Sequence, residues 1–108
     1  MSNINDREKA FETKYALDQE VMFRIEARAA KLFGLWLAEQ AGMSSEDASK
    51  YAAGVVSANL DEPGFEDVKR AVRPLIAEKS LPVTEHMMDT QIDHFMEIAR
   101  VQITEEKK

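Results

Sequence analysis

Residues 5–41 read NDREKAFETKYALDQEVMFRIEARAAKLFGLWLAEQA, a run of 37 residues with no proline and a single glycine, Gly34. Apolar side chains recur through it at Phe11, Tyr15, Met22, Ile25, Ala29, Leu32 and Trp36, the three-and-four step of one helix face. At roughly 1.5 Å per residue such a helix would be about 55 Å long. A compact domain of this size has a radius of gyration near 13 Å, hence a diameter of about 35 Å. The helix is longer than the body that has to shelter it, so about a third of it must project, fray or find another protein.

The two halves of the stretch differ. From Val21 onward apolar residues are dense: Val21, Met22, Ile25, Leu32, Phe33, Leu35, Trp36 and Leu37. Before it, Ile4, Phe11, Tyr15 and Leu17 are the only large ones, and Glu8 and Asp18 interrupt the stripe. Such a segment buries too little to offset the entropy of ordering it, and an isolated helix of that length is marginal in water. Asn5 with Glu8 three residues on has the form of a capping box. Gly42 is placed to end the helix. The chain is therefore expected to divide into an N-terminal mobile arm, residues 1–18, and a bundle, residues 19–108.

Three shorter helices follow. Ser44, with Asp47 three residues later, starts the second, which presents Ala48, Tyr51, Ala52, Val55 and Val56 and is expected to end about Asn59. The run Asp61-Glu62-Pro63-Gly64 is a turn. A third helix from Phe65 turns Val68, Val72, Leu75 and Ile76 inward. Pro74 lies inside it, removing one backbone hydrogen bond and crowding the carbonyl of Arg70, but the apolar spacing continues through it, so a kink or a weakened last turn is expected rather than a full break. Thr84 caps the last helix, whose inner face is Met88, Ile92, Phe95, Ala99 and Ile103. The sequence thus predicts an all-α four-helix bundle with a long first helix. Its core is expected to include Ile25, Leu32, Trp36, Val55, Val68, Ile92 and Phe95. Gly34, two residues before the lone tryptophan, is read as a close helix contact beside a core anchor, with a hinge as the lesser alternative.

Composition narrows the function. One small domain fits 108 residues, and an apolar share of 44% supports a core. Only 7% is aromatic and there are six methionines, so that core is aliphatic. Acidic residues outnumber basic ones 20 to 14, a net charge of −6. That speaks against a nucleic-acid partner, which needs a cationic face, and against docking on anionic lipid. Cysteine is absent, which removes disulfides and thiol chemistry. No apolar run is long enough to insert in a membrane. The first six residues lack the pattern of a secretion signal, so a cytoplasmic location is expected.

Catalytic patterns are missing too. No glycine-flanked serine or phosphate-cradling loop occurs, and Ser44 and Ser45 sit where a helix cap accounts for them. His86 and His94 share a region of the last helix with Asp89, Asp93 and Glu97, but their spacing matches no common ligand pair. The acidic pairs fall at turns, helix starts and the tail. No enzyme activity, cofactor or metal is expected.

The arm remains: Asp6-Arg7-Glu8-Lys9-Ala10-Phe11-Glu12-Thr13-Lys14-Tyr15-Ala16-Leu17-Asp18. Two readings stay open on physical grounds. It is a solvated, frayed helix end, or a helix that folds into a groove on a protein partner. In the second, Phe11 and Tyr15 are the anchors at i and i+4, and Arg7, Glu12, Lys14 and Asp18 give charge complementarity. A small helical adaptor or a self-associating module would use the same residues.

This run resembles the start of the zeta subunit family, small inhibitor proteins of the bacterial F-type ATP synthase. The resemblance continues through Glu26-Ala27-Arg28, Lys31-Leu32-Phe33-Gly34-Leu35-Trp36, residues 51–56 and Asp61-Glu62-Pro63-Gly64-Phe65-Glu66-Asp67-Val68. It implies a four-helix bundle whose N-terminal segment inserts between the alpha and beta subunits of the ATPase head and contacts the rotor. Rotation in the hydrolysis direction is blocked and synthesis is spared or much less affected. Carried onto this chain, the inhibitory residues are Asp6, Arg7, Glu8, Ala10, Phe11, Glu12, Lys14, Tyr15 and Asp18. The resemblance further implies a free monomer, peripheral to the inner membrane only through the synthase. Ala29 and Ala30 depart from the family pattern, standing where more polar or basic residues are associated with it and so bearing on contacts by that face; Pro74 is the other departure.

Overall fold

Four runs of good helix formers, separated by glycine and proline signals, give four helices: α1 (Ser2–Gln40), α2 (Ser45–Ala58), α3 (Glu66–Glu78) and α4 (Glu85–Glu106). The computed structural model describes the backbone of residues 2–58 and 64–106, with side chains from residue 19 onward. The turn expected at residues 61–63 and the helix end expected at Asn59 lie outside the described residues. At roughly 1.5 Å per residue α1 is about 58 Å long. It accounts for the long axis of a molecule measuring 62 × 26 × 22 Å.

The helix ends follow the local chemistry. α1 closes in a Schellman motif: Gly42 takes φ of +76°, Gly42 N–H donates to Glu39 O and Met43 N–H to Ala38 O, both at 3.0 Å. Ser44 Oγ accepts from Asp47 N–H at 3.2 Å and Thr84 Oγ1 from Met87 N–H at 3.1 Å, capping α2 and α4. α3 has Phe65 at its N-cap with no side-chain cap bond. One expectation changes. α1 begins at Ser2, so Asn5 lies within it; no glycine or proline stands in residues 2–4 to stop the helix earlier. α3 runs through Pro74 to Glu78 without a break, and Leu81 N–H donates to Ile76 O at 2.9 Å past its end. Pro74 faces outward, where water can serve the carbonyl it leaves unpaired.

The core is built on one ridge of α1. Ile25, Ala29, Phe33 and Leu37, four residues apart, are each at most 3% exposed, with Ala30 beside them. Phe33 and Leu37 meet Val55 of α2, Val68, Val72 and Leu75 of α3, and Met88 and Ile92 of α4. Ile25 and Ala29 form a second cluster with Ala99 and Ile103 of α4. Phe65, Phe95 and Met96 pack against both. The expected core positions Ile25, Val55, Val68 and Ile92 are thus buried. Leu32, Trp36 and Phe95 are half-buried instead, because the ridge runs through Phe33 and Leu37 and leaves Leu32 and Trp36 on its flank. Trp36 stacks on Phe33, ring centroids 6.0 Å apart. Met22 is 44% exposed, one residue off the line through Val21, Ile25 and Ala29 that packs towards α4. Ala29 and Ala30 are core residues, so their small size serves helix packing rather than a contact face.

Gly34 fixes the approach of α2. A Cβ there would stand 3.0 Å from Ala52 Cα and 3.3 Å from Val55 Cβ. It is a contact glycine, not a hinge. The α3–α4 seam is polar outside its apolar floor. Lys69 Nζ, with its side chain 13% exposed, lies 2.6 Å from Asp89, 3.7 Å from Glu85 and 3.8 Å from Glu66. Arg73 Nε donates to Glu85 at 2.8 Å.

Candidate functional site

The predicted inhibitory residues all fall on the first half of α1. Asp6, Arg7, Glu8, Ala10, Phe11, Glu12, Lys14, Tyr15 and Asp18 lie between Ser2 and Gln19, within the span of continuous helix; their side chains lie outside the described residues. Helical spacing puts Ala10, Lys14 and Asp18 on one line and Phe11 and Tyr15 on the next. Gln19 and Glu20, the first described side chains, are exposed, and Val21 is the first to touch the core.

Where α1 enters the bundle it is tied to the end of α4. Arg28 Nη1 donates to Gln102 Oε1 at 2.8 Å, and Arg28 Nη2 stands 2.8 Å from Glu106 Oε2. One guanidinium thus engages two side chains a turn apart, a directional contact that lysine cannot copy. Beside it opens a groove of about 360 Å³. Ala27, Val56 and Ile103 line it, Phe23 stands at its mouth 50% exposed, and Arg24 and Lys31 border it. At 100° per residue, Arg24, Arg28 and Lys31 share about 60° of the helix circumference. The i, i+4, i+7 spacing of those cations was the available signal for this feature, and Phe23 next to Met22 the other; the density of apolar residues in that half of the helix masked both.

Among the described residues no group of three His, Asp or Glu side chains gathers to hold a metal. His86 and His94 are exposed on α4. Three groups at the α3–α4 seam are shifted, the Arg73 guanidinium upward by its hydrogen bond to Glu85. The hydrogen bond from Arg73, more than any other influence, holds the Glu85 carboxyl below the ordinary glutamate value. The hydrogen bond to Asp89 holds the Lys69 ammonium above the ordinary lysine value. These are structural ion pairs on a solvated seam, not a catalytic arrangement. The one buried orphan among the described residues is the Tyr51 hydroxyl, which has no partner; burial pushes its pKa up. No helix among the described residues is long and apolar enough to cross a membrane.

The family model described as ATPase inhibitor subunit zeta matches residues 1–102. A solved structure, titled a solution NMR structure of the protein, is 39% identical to the chain. The match covers 78% of this chain and 95% of that one, with a TM-score of 0.66. No curated protein matches the chain.

Proposed function

Because the chain belongs to the ATPase inhibitor subunit zeta family, we propose that it is a stoichiometric inhibitor of the F-type ATP synthase that acts through residues 1–18. The match to that family over residues 1–102 carries the reading, since it takes in the arm as well as the bundle. The partners are the alpha, beta and rotor subunits. The arm enters a catalytic interface between alpha and beta, Phe11 and Tyr15 seating as anchors. Arg7, Glu12, Lys14 and Asp18 pair with charges along the walls, and Asp6 and Glu8 add acidic contacts near the tip. Ala10 keeps the inserted helix narrow. An interface filled by a folded helix cannot finish closing, and rotation in the hydrolysis direction stalls.

In this reading residues 19–108 are a scaffold that presents the arm, and the protein is itself not an enzyme. It is monomeric when free and resides in the cytoplasm, held at the inner membrane only through the synthase. The test adds the full chain to membranes carrying the cognate synthase and follows both directions. ATP hydrolysis is expected to fall steeply while proton-driven synthesis is largely kept. Equal loss in both directions would refute the wedge, and unchanged hydrolysis would refute the inhibitor reading.

A further inference from the structure

We propose that the groove bordered by Arg24, Arg28 and Lys31 is a second docking surface, which grips an acidic, apolar-centred surface segment of the same ATPase. This rests on the inhibitor reading and adds a site to it. The groove opens on α1 just past the arm. Phe23 is five residues, about 7.5 Å along the helix, from Asp18, so a protein that holds residues 6–18 comes within reach of it.

The exposed surface there is unusual for this molecule. Phe23 is 50% exposed at the mouth of a groove lined by Ala27, Val56 and Ile103, and its neighbour Met22 is 44% exposed. In a chain of net charge −6, its border carries three cations, Arg24, Arg28 and Lys31, against one carboxylate, Glu106, which pairs with Arg28 at 2.8 Å. Arg24 is matched only by Glu20 of its own helix, an exposed pair at 3.2 Å, which is a weak hold. Lys31 is exposed and has no ionic partner among the described residues. Apolar anchor and cationic border together fit a segment whose carboxylates flank an apolar side chain.

Other occupants fit less well. Lys107 and Lys108, which follow α4 in the sequence, are cationic and would meet like charge. A symmetric second copy would set the same stripe of cations against itself. The net charge disfavours nucleic acid.

The experiment titrates ATP hydrolysis by the cognate ATPase head with the full chain, with Phe23→Ala and with Lys31→Glu. Lys50→Glu serves as control, on an exposed α2 residue outside the groove, and circular dichroism checks that each variant is folded. Both groove variants should raise the half-inhibitory concentration about fivefold or more at unchanged maximal inhibition. The control should match wild type, and the Lys31→Glu effect should shrink as salt rises. Folded variants that stay within about twofold of wild type overturn the docking surface while leaving the arm intact. A free protein that sediments as a dimer, split by Phe23→Ala, overturns it in favour of self-association. Failure of wild type to inhibit overturns the inhibitor reading and this surface with it.

Discussion

The two halves of α1 belong to one helix but answer to different demands. In residues 21–40 nearly every third or fourth side chain is enclosed, with Ala30, Phe33 and Leu37 fully buried against the other three helices. In residues 2–18 only Ile4, Phe11, Tyr15 and Leu17 are large and apolar, set among seven charged residues. In the proposed reading the first half of the helix carries what a partner needs; the second carries what folding needs. A helix can therefore be rigidly anchored at one end and specialised for recognition at the other, provided that the apolar density changes along it.

The sharpest contrast is between two phenylalanines of the same helix. Phe33→Ala should cost about 3–5 kcal/mol of stability, lowering Tm by roughly 15–25 °C in a domain of this size, read by thermal unfolding. Phe11→Ala should change stability by less than about 0.5 kcal/mol yet weaken inhibition of ATP hydrolysis about tenfold or more. If the two exchanged their effects, the division of α1 would be wrong.

A smaller effect probes the packing half alone. Gly34→Ala gains about 1 kcal/mol of helix propensity, but the new methyl meets α2 backbone at 3.0 Å and overpacking costs about 1–3 kcal/mol. A net loss of about 1 kcal/mol is expected in denaturant unfolding, and a gain would show that α2 can yield.

The smallest effect is on pH. Glu85 is held low, so its contribution is present above the unfolded value near 4.5 and lost as pH falls through the folded value. Lys69 is held high, so its contribution is present below about 10.5 and lost as pH rises through its folded value. Tm should be flat between about pH 5 and 10 from these pairs and decline slightly at either end. Lys69→Met should reduce the alkaline decline and leave the part due to Tyr51, whose pKa is raised by burial. The seam lies in the bundle, so the arm should not share this dependence.

Much of the fold was legible because helix ends and inner faces have local causes. Ser44, Thr84 and Gly42 act where cap chemistry places them. The inward residues of α2, α3 and α4 follow from spacing alone. The start of α1 was not legible at Asn5, since Ser2, Asn3 and Asn5 compete as caps and nothing local decides among them. Nor was the exposure of Met22, since the packed line takes Val21 and Ile25 and leaves Met22 on its flank. Leu32 and Trp36 read as core because large residues sat near the stripe, whereas the packed ridge took Phe33 and Leu37. The candidate arm was legible as a surplus of helix, but its partner was not: spacing names anchors, and only the family resemblance says what they enter. The groove was illegible because Val56 and Ile103 come from distant parts of the chain and meet Phe23 only in the fold.

The most direct test compares ATP hydrolysis by the cognate ATPase head with the full chain and with residues 19–108, both shown to be helical and to unfold cooperatively. The account predicts a folded bundle that inhibits much less than the full chain, or not at all. Inhibition of equal strength by both would contradict it.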